Sequence, residues 1–142
     1  LLITVCNQEE ADRDIPKLLE IGVPNGISYE PALGPIDWSR WMMKADWGMH
    51  SGPKNLIDWI IVGGESGSKA RPFDVGWARD TVARCMSSGV PVFVKQLGPH
   101  PIMGDETSSL GRALREGGYT LKDRAGADPA EWPADLRVQE FP

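Results

Sequence analysis

The sequence predicts an α/β fold: a partial (β/α) barrel-like parallel sheet with flanking helices and an irregular C-terminal arm. Short apolar segments alternate with helical patterns, as they do in βα repeats. The segment Leu56 to Val62 is apolar at nearly every position, which is typical of a strand covered on both faces of a parallel sheet. From Pro99 onward, strand signals stop and glycine, proline and charged residues dominate. We therefore divide the chain into a βα-repeat domain, residues 1–98, and a C-terminal extension packed on it, residues 99–142.

Four segments are predicted strands: Leu1 to Val5, Ile27 to Glu30, Leu56 to Val62 and Val90 to Lys95. A helix is predicted after the first strand, because Asn7 is a good N-cap and acidic residues follow it at the positive end of the helix dipole. Pro16 lies inside that helical pattern and predicts a kink or a restart.

The clearest helix follows Asp74. Its apolar positions recur at helical spacing and form one stripe: Val75, Ala78, Val82, Cys85 and Met86. Gly89 is the predicted C-terminal stop.

Tryptophans and methionines crowd into the connection from Pro35 to Asn55. We interpret Trp38, Trp41 and Met42 as an apolar face that lies over the sheet, in preference to a lid that binds a partner or ligand. The C-terminal extension carries apolar anchors at Trp132, Leu136, Val138 and Phe141.

Composition excludes several classes of protein. The 142 residues are 41% hydrophobic, which is enough for a core, and the net charge of -5 gives no overall basic surface for nucleic acid. The longest apolar run is too short to cross a membrane. Cys6 and Cys85 are far apart in apolar segments, so we expect packed thiols in a reducing compartment such as the cytoplasm, and not a disulfide framework.

Polar residues follow each predicted strand, at the edge where parallel α/β folds bind ligands. They are Cys6 and Asn7, Glu30, the loop Gly63-Gly64-Glu65-Ser66-Gly67, and Lys95 with Gln96. Backbone amides of the glycine loop could hold a carboxylate or phosphate oxygen, and Glu65 an amine or a ribose hydroxyl. A plain tight turn is the alternative.

Lys95 is expected to pair with Glu30 or Glu65, to act as a base, or to bind an anion. Arg71 is a second candidate for binding an anion. We predict catalytic roles for Glu65, Lys95 and Gln96. Ligand-binding roles are predicted for Glu30, Gly63, Gly64, Ser66 and Arg71. No metal site is predicted, because His50 and His100 lack partners at ligand spacing.

Several runs of the sequence resemble the phage gene-product 37/68 family. They are Glu30-Pro31-Ala32-Leu33-Gly34-Pro35, the run from Asp58 to Gly67, Ala70-Arg71-Pro72, the run from Gly89 to Gln96, Glu131-Trp132-Pro133 and Glu140-Phe141-Pro142. Full-length members resemble radical S-adenosylmethionine proteins, with a cysteine-bearing N-terminal half suited to a [4Fe-4S] cluster and a partial barrel. The resemblance implies that S-adenosylmethionine and the cluster belong to the full-length protein, and that the protein lies in the cytoplasm of a bacterial or phage-infected cell. The two cysteines of this chain do not reproduce the cluster motif, so the chain alone is not expected to be catalytic.

Two functions follow as hypotheses. In the first, the chain is the substrate-side part of a radical-SAM-like protein, and its partner is the missing N-terminal half or a second copy. In the second, it is a phage-derived module that binds a host protein, for example as a defence-system inhibitor, through Trp41 and Trp47. An open sheet edge, notably at the first strand, favours a second copy or an N-terminal half over coverage by the tail after Pro99.

Overall fold

The computed structural model describes residues 1–42, 56–102 and 121–142. The strands are β1 (Leu2–Thr4), β2 (Gly26–Tyr29), β3 (Ile60–Gly63), β4 (Phe73–Asp74), β5 (Val92–Gln96) and β6 (Pro101–Ile102), and the helices are α1 (Gln8–Glu20) and α2 (Val75–Ser88). Three short 3-10 turns cover Trp38–Arg40, Pro129–Glu131 and Ala134–Leu136. The predicted α/β class is confirmed.

A four-stranded parallel sheet has the order β1-β2-β3-β5. Each new strand is added on the same side of the previous one, so right-handed connections place α1 and α2 on one face of the sheet. Ile3, Ile27, Ile60 and Val92 form one row of the register. The last three are fully buried in a core that also contains residues of both helices.

A variant of the capping box starts α1, in which the glutamate bonds to the amide one residue before the N-cap. Asn7 Oδ1 accepts a hydrogen bond from the Glu10 amide at 3.0 Å, and Glu10 Oε2 accepts one from the Cys6 amide at 2.8 Å. The helix continues past Pro16 to Glu20 without a restart. Its N-terminus is therefore fixed directly behind the end of β1.

The predicted helix α2 is confirmed, with Asp74 as its N-cap and Gly89 in the left-handed conformation at its end, φ 69. The inclusion of Met86 in the buried stripe is wrong, because its side chain is 70% exposed. The buried arc is centred on Ala78 and Cys85 and extends towards Thr81, which leaves Met86 at its margin.

The interpretation of Trp38, Trp41 and Met42 as a core face is confirmed, since all three are buried. Trp38 Nε1 donates a hydrogen bond to Thr81 Oγ1 at 3.0 Å and so ties this segment to α2. The other tryptophan of the connection, Trp47, lies outside the described residues.

The C-terminal segment covers one edge of the sheet. The Val94 amide donates to the Val138 carbonyl at 2.8 Å and the Glu140 amide donates to the Val92 carbonyl at 2.9 Å, around an antiparallel bridge between Phe93 and Gln139. The expectation that the tail would leave the sheet edges to another polypeptide is therefore wrong at β5. It stays a prediction at β1, which forms the other edge.

A short strand follows Pro99, because β6 pairs in parallel with β4 to form a second, two-stranded sheet. The end of strand signals at Pro99 therefore did not mark the end of strands. Trp132 and Leu136 are buried in the same core as the helices. The division at residue 98 stays a prediction. No helix in the described ranges is long and apolar enough to cross a membrane.

Candidate ligand site at the carboxyl ends of the strands

An ion pair joins the ends of β2 and β5. Lys95 Nζ lies 2.8 Å from Glu30 Oε1, and the side chains are 53% and 16% exposed respectively. Val92, Val94 and Gln96 of β5 are buried, so Lys95 projects from the face of the sheet opposite the helices. The intervening strand β3 ends at Gly63, which presents no side chain between the two charges.

A second ion pair closes the loop after β3. The Glu65 carboxylate accepts three hydrogen bonds from Arg71: from its amide at 2.9 Å, from Nε at 2.8 Å and from Nη2 at 2.9 Å. These bonds lower the pKa of Glu65 to about 2. A carboxylate this acidic is ionised at neutral pH and is a weak general base, so the geometry favours a charge-holding role over proton abstraction.

Gln96 connects β5 to the same loop. Its Nε2 donates to the Gly64 carbonyl at 2.8 Å, and the Gly64 amide donates to the Gln96 carbonyl at 2.9 Å. A Cβ atom at position 64 would meet the Leu97 carbonyl oxygen at 2.7 Å, so only glycine fits there. The Gly64 amide thus already donates its hydrogen bond to Gln96, and the predicted ligand-binding role of Gly64 stays a prediction.

The end of β1 reaches the same edge through Cys6. Partial burial, followed by the charge of Glu10, raises the pKa of the Cys6 thiol. The charge of Arg71 lowers this pKa and that of Glu65 raises it, because the loop after β3 lies near the end of β1. The Cys6 carbonyl accepts a hydrogen bond from the Leu33 amide at 2.8 Å.

One positioning residue was missed by sequence reasoning. The phenol of Tyr29 donates a hydrogen bond to the Gly34 carbonyl, and burial raises its pKa. This contact holds the segment that begins with Glu30. The available signal was a tyrosine directly before Glu30 in a predicted strand, which is equally typical of ordinary core packing.

The predicted site residues therefore form two neighbouring groups. Lys95 pairs with Glu30 and not with Glu65, while Glu65 pairs with Arg71. Ser66 is exposed on the glycine loop, and Gly63 accepts the Ala32 amide through its carbonyl at 2.9 Å.

No group of three or more His, Cys, Asp or Glu side chains within residues 1–42, 56–102 and 121–142 could hold a metal ion. Cys6 lies at the sheet edge and Cys85 is buried in α2. These residues do not provide the ligand set of a [4Fe-4S] cluster. His100 is exposed in a loop, and His50 lies outside the described residues.

The fold and this edge define a class: an α/β protein built from βα repeats, with polar groups gathered at the carboxyl ends of parallel strands. The chain belongs to the family described as a protein of unknown function (DUF5131), which matches residues 1–124. The match includes all four strands of the main sheet and both ion pairs. No curated protein and no solved structure matches the chain.

Proposed function

We propose that this chain is the substrate-side part of a radical-SAM-like protein of the phage gene-product 37/68 kind. The observation that carries the proposal is the Glu30 and Lys95 ion pair, which lies on the face of the sheet opposite the helices, at the carboxyl ends of the strands. Parallel α/β folds bind their ligands at this edge.

The charges of this pair suit one part of S-adenosylmethionine. Its amino-acid moiety carries an ammonium group and a carboxylate, which complement Glu30 and Lys95 respectively. Lys95 is half-exposed, so its ammonium can exchange its protein partner for a ligand oxygen at little cost in desolvation. Glu30 is the more buried of the two and provides the fixed end of the contact.

The chain's own role in this proposal is to bind and orient the ligand. Because the described residues do not fit an iron-sulfur cluster, the cluster belongs to an N-terminal half or to another polypeptide. Glu65 pairs with Arg71 and so holds the glycine loop closed. Gln96 holds the glycine loop against β5.

The test is the affinity of a full-length protein carrying this chain for S-adenosylmethionine, measured by isothermal titration calorimetry. Lys95→Met and Glu30→Gln are each expected to weaken binding roughly tenfold, because each removes one charged hydrogen-bonding partner. Arg79→Met is the matched control, since Arg79 forms an ion pair with Asp135 on the helical side of the protein, with an Nε to Oδ2 distance of 2.6 Å.

Affinity that is the same for Lys95→Met, Glu30→Gln and the control would reject the proposal. Glu65→Ala tests the second ion pair separately. If this variant leaves affinity and activity unchanged, Glu65 does not contact the ligand.

The alternative function, binding of a host protein, was predicted to use Trp41 and Trp47. Trp41 is only 5% exposed, so its replacement would test stability and not binding.

A further inference from the structure

A cavity of about 610 Å³ lies beside the glycine loop, and neither Glu30 nor Lys95 lines it. Three separate segments form it: Gly67 and Ser68 after β3, Pro99 and His100 after β5, and the turn that begins at Leu121. Cavities of this size bind small organic molecules in many proteins.

Internal hydrogen bonds fix the turn that forms one wall. Glu131 Oε2 accepts from the Lys122 amide at 2.8 Å and from the Asp123 amide at 3.1 Å. Asp123 Oδ2 accepts from the Ala127 amide at 2.6 Å, so its negative charge is directed at its own turn. The Leu97 amide donates to the Gly126 carbonyl at 2.9 Å and anchors the turn to the end of β5. Arg124 is thus presented from a backbone that is already ordered.

The other two walls are fixed in the same way. The His100 carbonyl accepts from the Phe73 amide at 3.0 Å, which holds His100 through the small sheet. The Gly67 carbonyl accepts from the Ala70 amide at 3.2 Å, inside the loop that Glu65 and Arg71 close.

Four polar side chains line this cavity: Ser68, His100, Asp123 and Arg124. The Asp123 carboxylate accepts the Ala127 amide, and each of the other three can donate a hydrogen bond. Arg124 is exposed and, within the described part of the chain, forms no salt bridge, whereas Arg71 pairs with Glu65. His100 and Ser68 add an imidazole and a hydroxyl. Pro99 and Leu121 supply an apolar wall between these polar groups.

We propose that this cavity binds a small organic anion, a carboxylate or a phosphate ester with an apolar body, through Arg124, His100 and Ser68. A guanidinium group recognises either anion with paired N–H donors, and the adjoining apolar wall takes the body of the ligand. The site is independent of the proposed function, since it needs neither S-adenosylmethionine nor an N-terminal half.

The test uses this chain alone with three probes that share one apolar body: benzyl phosphate, phenylacetate and benzyl alcohol. Binding is measured by ¹H–¹⁵N NMR titration, with shifts expected at the amides of Gly67, Ser68 and Arg124. The two anions are expected to bind at least about tenfold more tightly than the alcohol, because only they form charged hydrogen bonds with the guanidinium. Whichever of the two anions binds more tightly identifies the ligand class, a phosphate ester or a carboxylate.

Arg124→Ala is expected to remove most of this preference for anions, again roughly tenfold. Lys122→Ala is the matched control, since it removes a cation two residues away whose side chain does not line the cavity. Arg124 is exposed, so the variant is expected to fold, which its unbound NMR spectrum verifies directly. The proposal is overturned if neither anion shifts these amides, if benzyl alcohol binds equally well, or if both variants lose affinity to the same extent.

Discussion

Trp132 provides a direct test of whether the C-terminal segment belongs to the folded core. Its side chain is 1% exposed, and its Nε1 donates to the Gly126 carbonyl at 2.9 Å. Truncation of a buried tryptophan to alanine costs about 3–5 kcal/mol through lost apolar burial and the cavity left behind. We expect Trp132→Ala to lower the free energy of unfolding by about that amount.

Trp132→Phe separates the hydrogen bond from the burial. Gly126 keeps the Leu97 amide as a partner, so its carbonyl is not left unpaired in this variant. We therefore expect a smaller loss, about 1–2 kcal/mol, from the missing hydrogen bond and the smaller ring.

Urea denaturation measures both effects as shifts of the midpoint at constant slope. Phe141→Ala is the control, because Phe141 lies in the same tail but is 70% exposed. If Trp132→Ala destabilises the protein no more than Phe141→Ala does, the tail is not part of the core and the reasoning fails.

Two further predictions concern titratable groups. The pKa of Glu65 is lowered from 4.5 to about 2 by Arg71, so the stability contributed by their contact is complete above about 4.5 and is lost as the pH falls through about 2. A ¹³C NMR titration of the Glu65 carboxyl group measures this pKa. Arg71→Ala should return the titration midpoint towards pH 4.5. A wild-type midpoint already near pH 4.5 would contradict the prediction. Burial raises the pKa of Cys85 to about 12 and leaves its side chain inaccessible, so a thiol reagent should label the partly exposed Cys6 first and Cys85 only on unfolding. Mass spectrometry of the labelled protein distinguishes this order from simultaneous labelling, which would show that α2 opens readily.

Local sequence was sufficient to predict the main sheet and the second helix. Apolar runs in β3 and β5 and the caps at Asp74 and Gly89 all point to the structure observed. Boundaries were less predictable: β3 begins at Ile60 and not at Leu56, and the Asp58 carboxylate accepts the Asn25 amide at 2.9 Å instead. That contact joins residues 33 positions apart and has no local signature.

The small sheet could not be predicted for a related reason. Strands β4 and β6 have only two residues each, too few for a hydrophobic period, and they exist because tertiary packing brings them together. The need for glycine at position 64 also comes from tertiary packing, since the atom that excludes a side chain there is the carbonyl oxygen of Leu97. Sequence reasoning correctly found the edge at which the polar residues meet, because strand direction determines that edge. It did not determine which charges pair.

The edges of the main sheet constrain how further polypeptide joins it. Residues Val138 to Glu140 occupy the hydrogen-bonding groups of β5 in antiparallel orientation, so a parallel strand is not added there while the tail remains in place. The other edge is β1, where Leu2 and Thr4 are exposed. Under the proposed function, additional βα units are therefore expected to join at β1. The Glu30 and Lys95 pair then faces the interior that those units help to enclose, which is where a ligand shared between the two parts would lie.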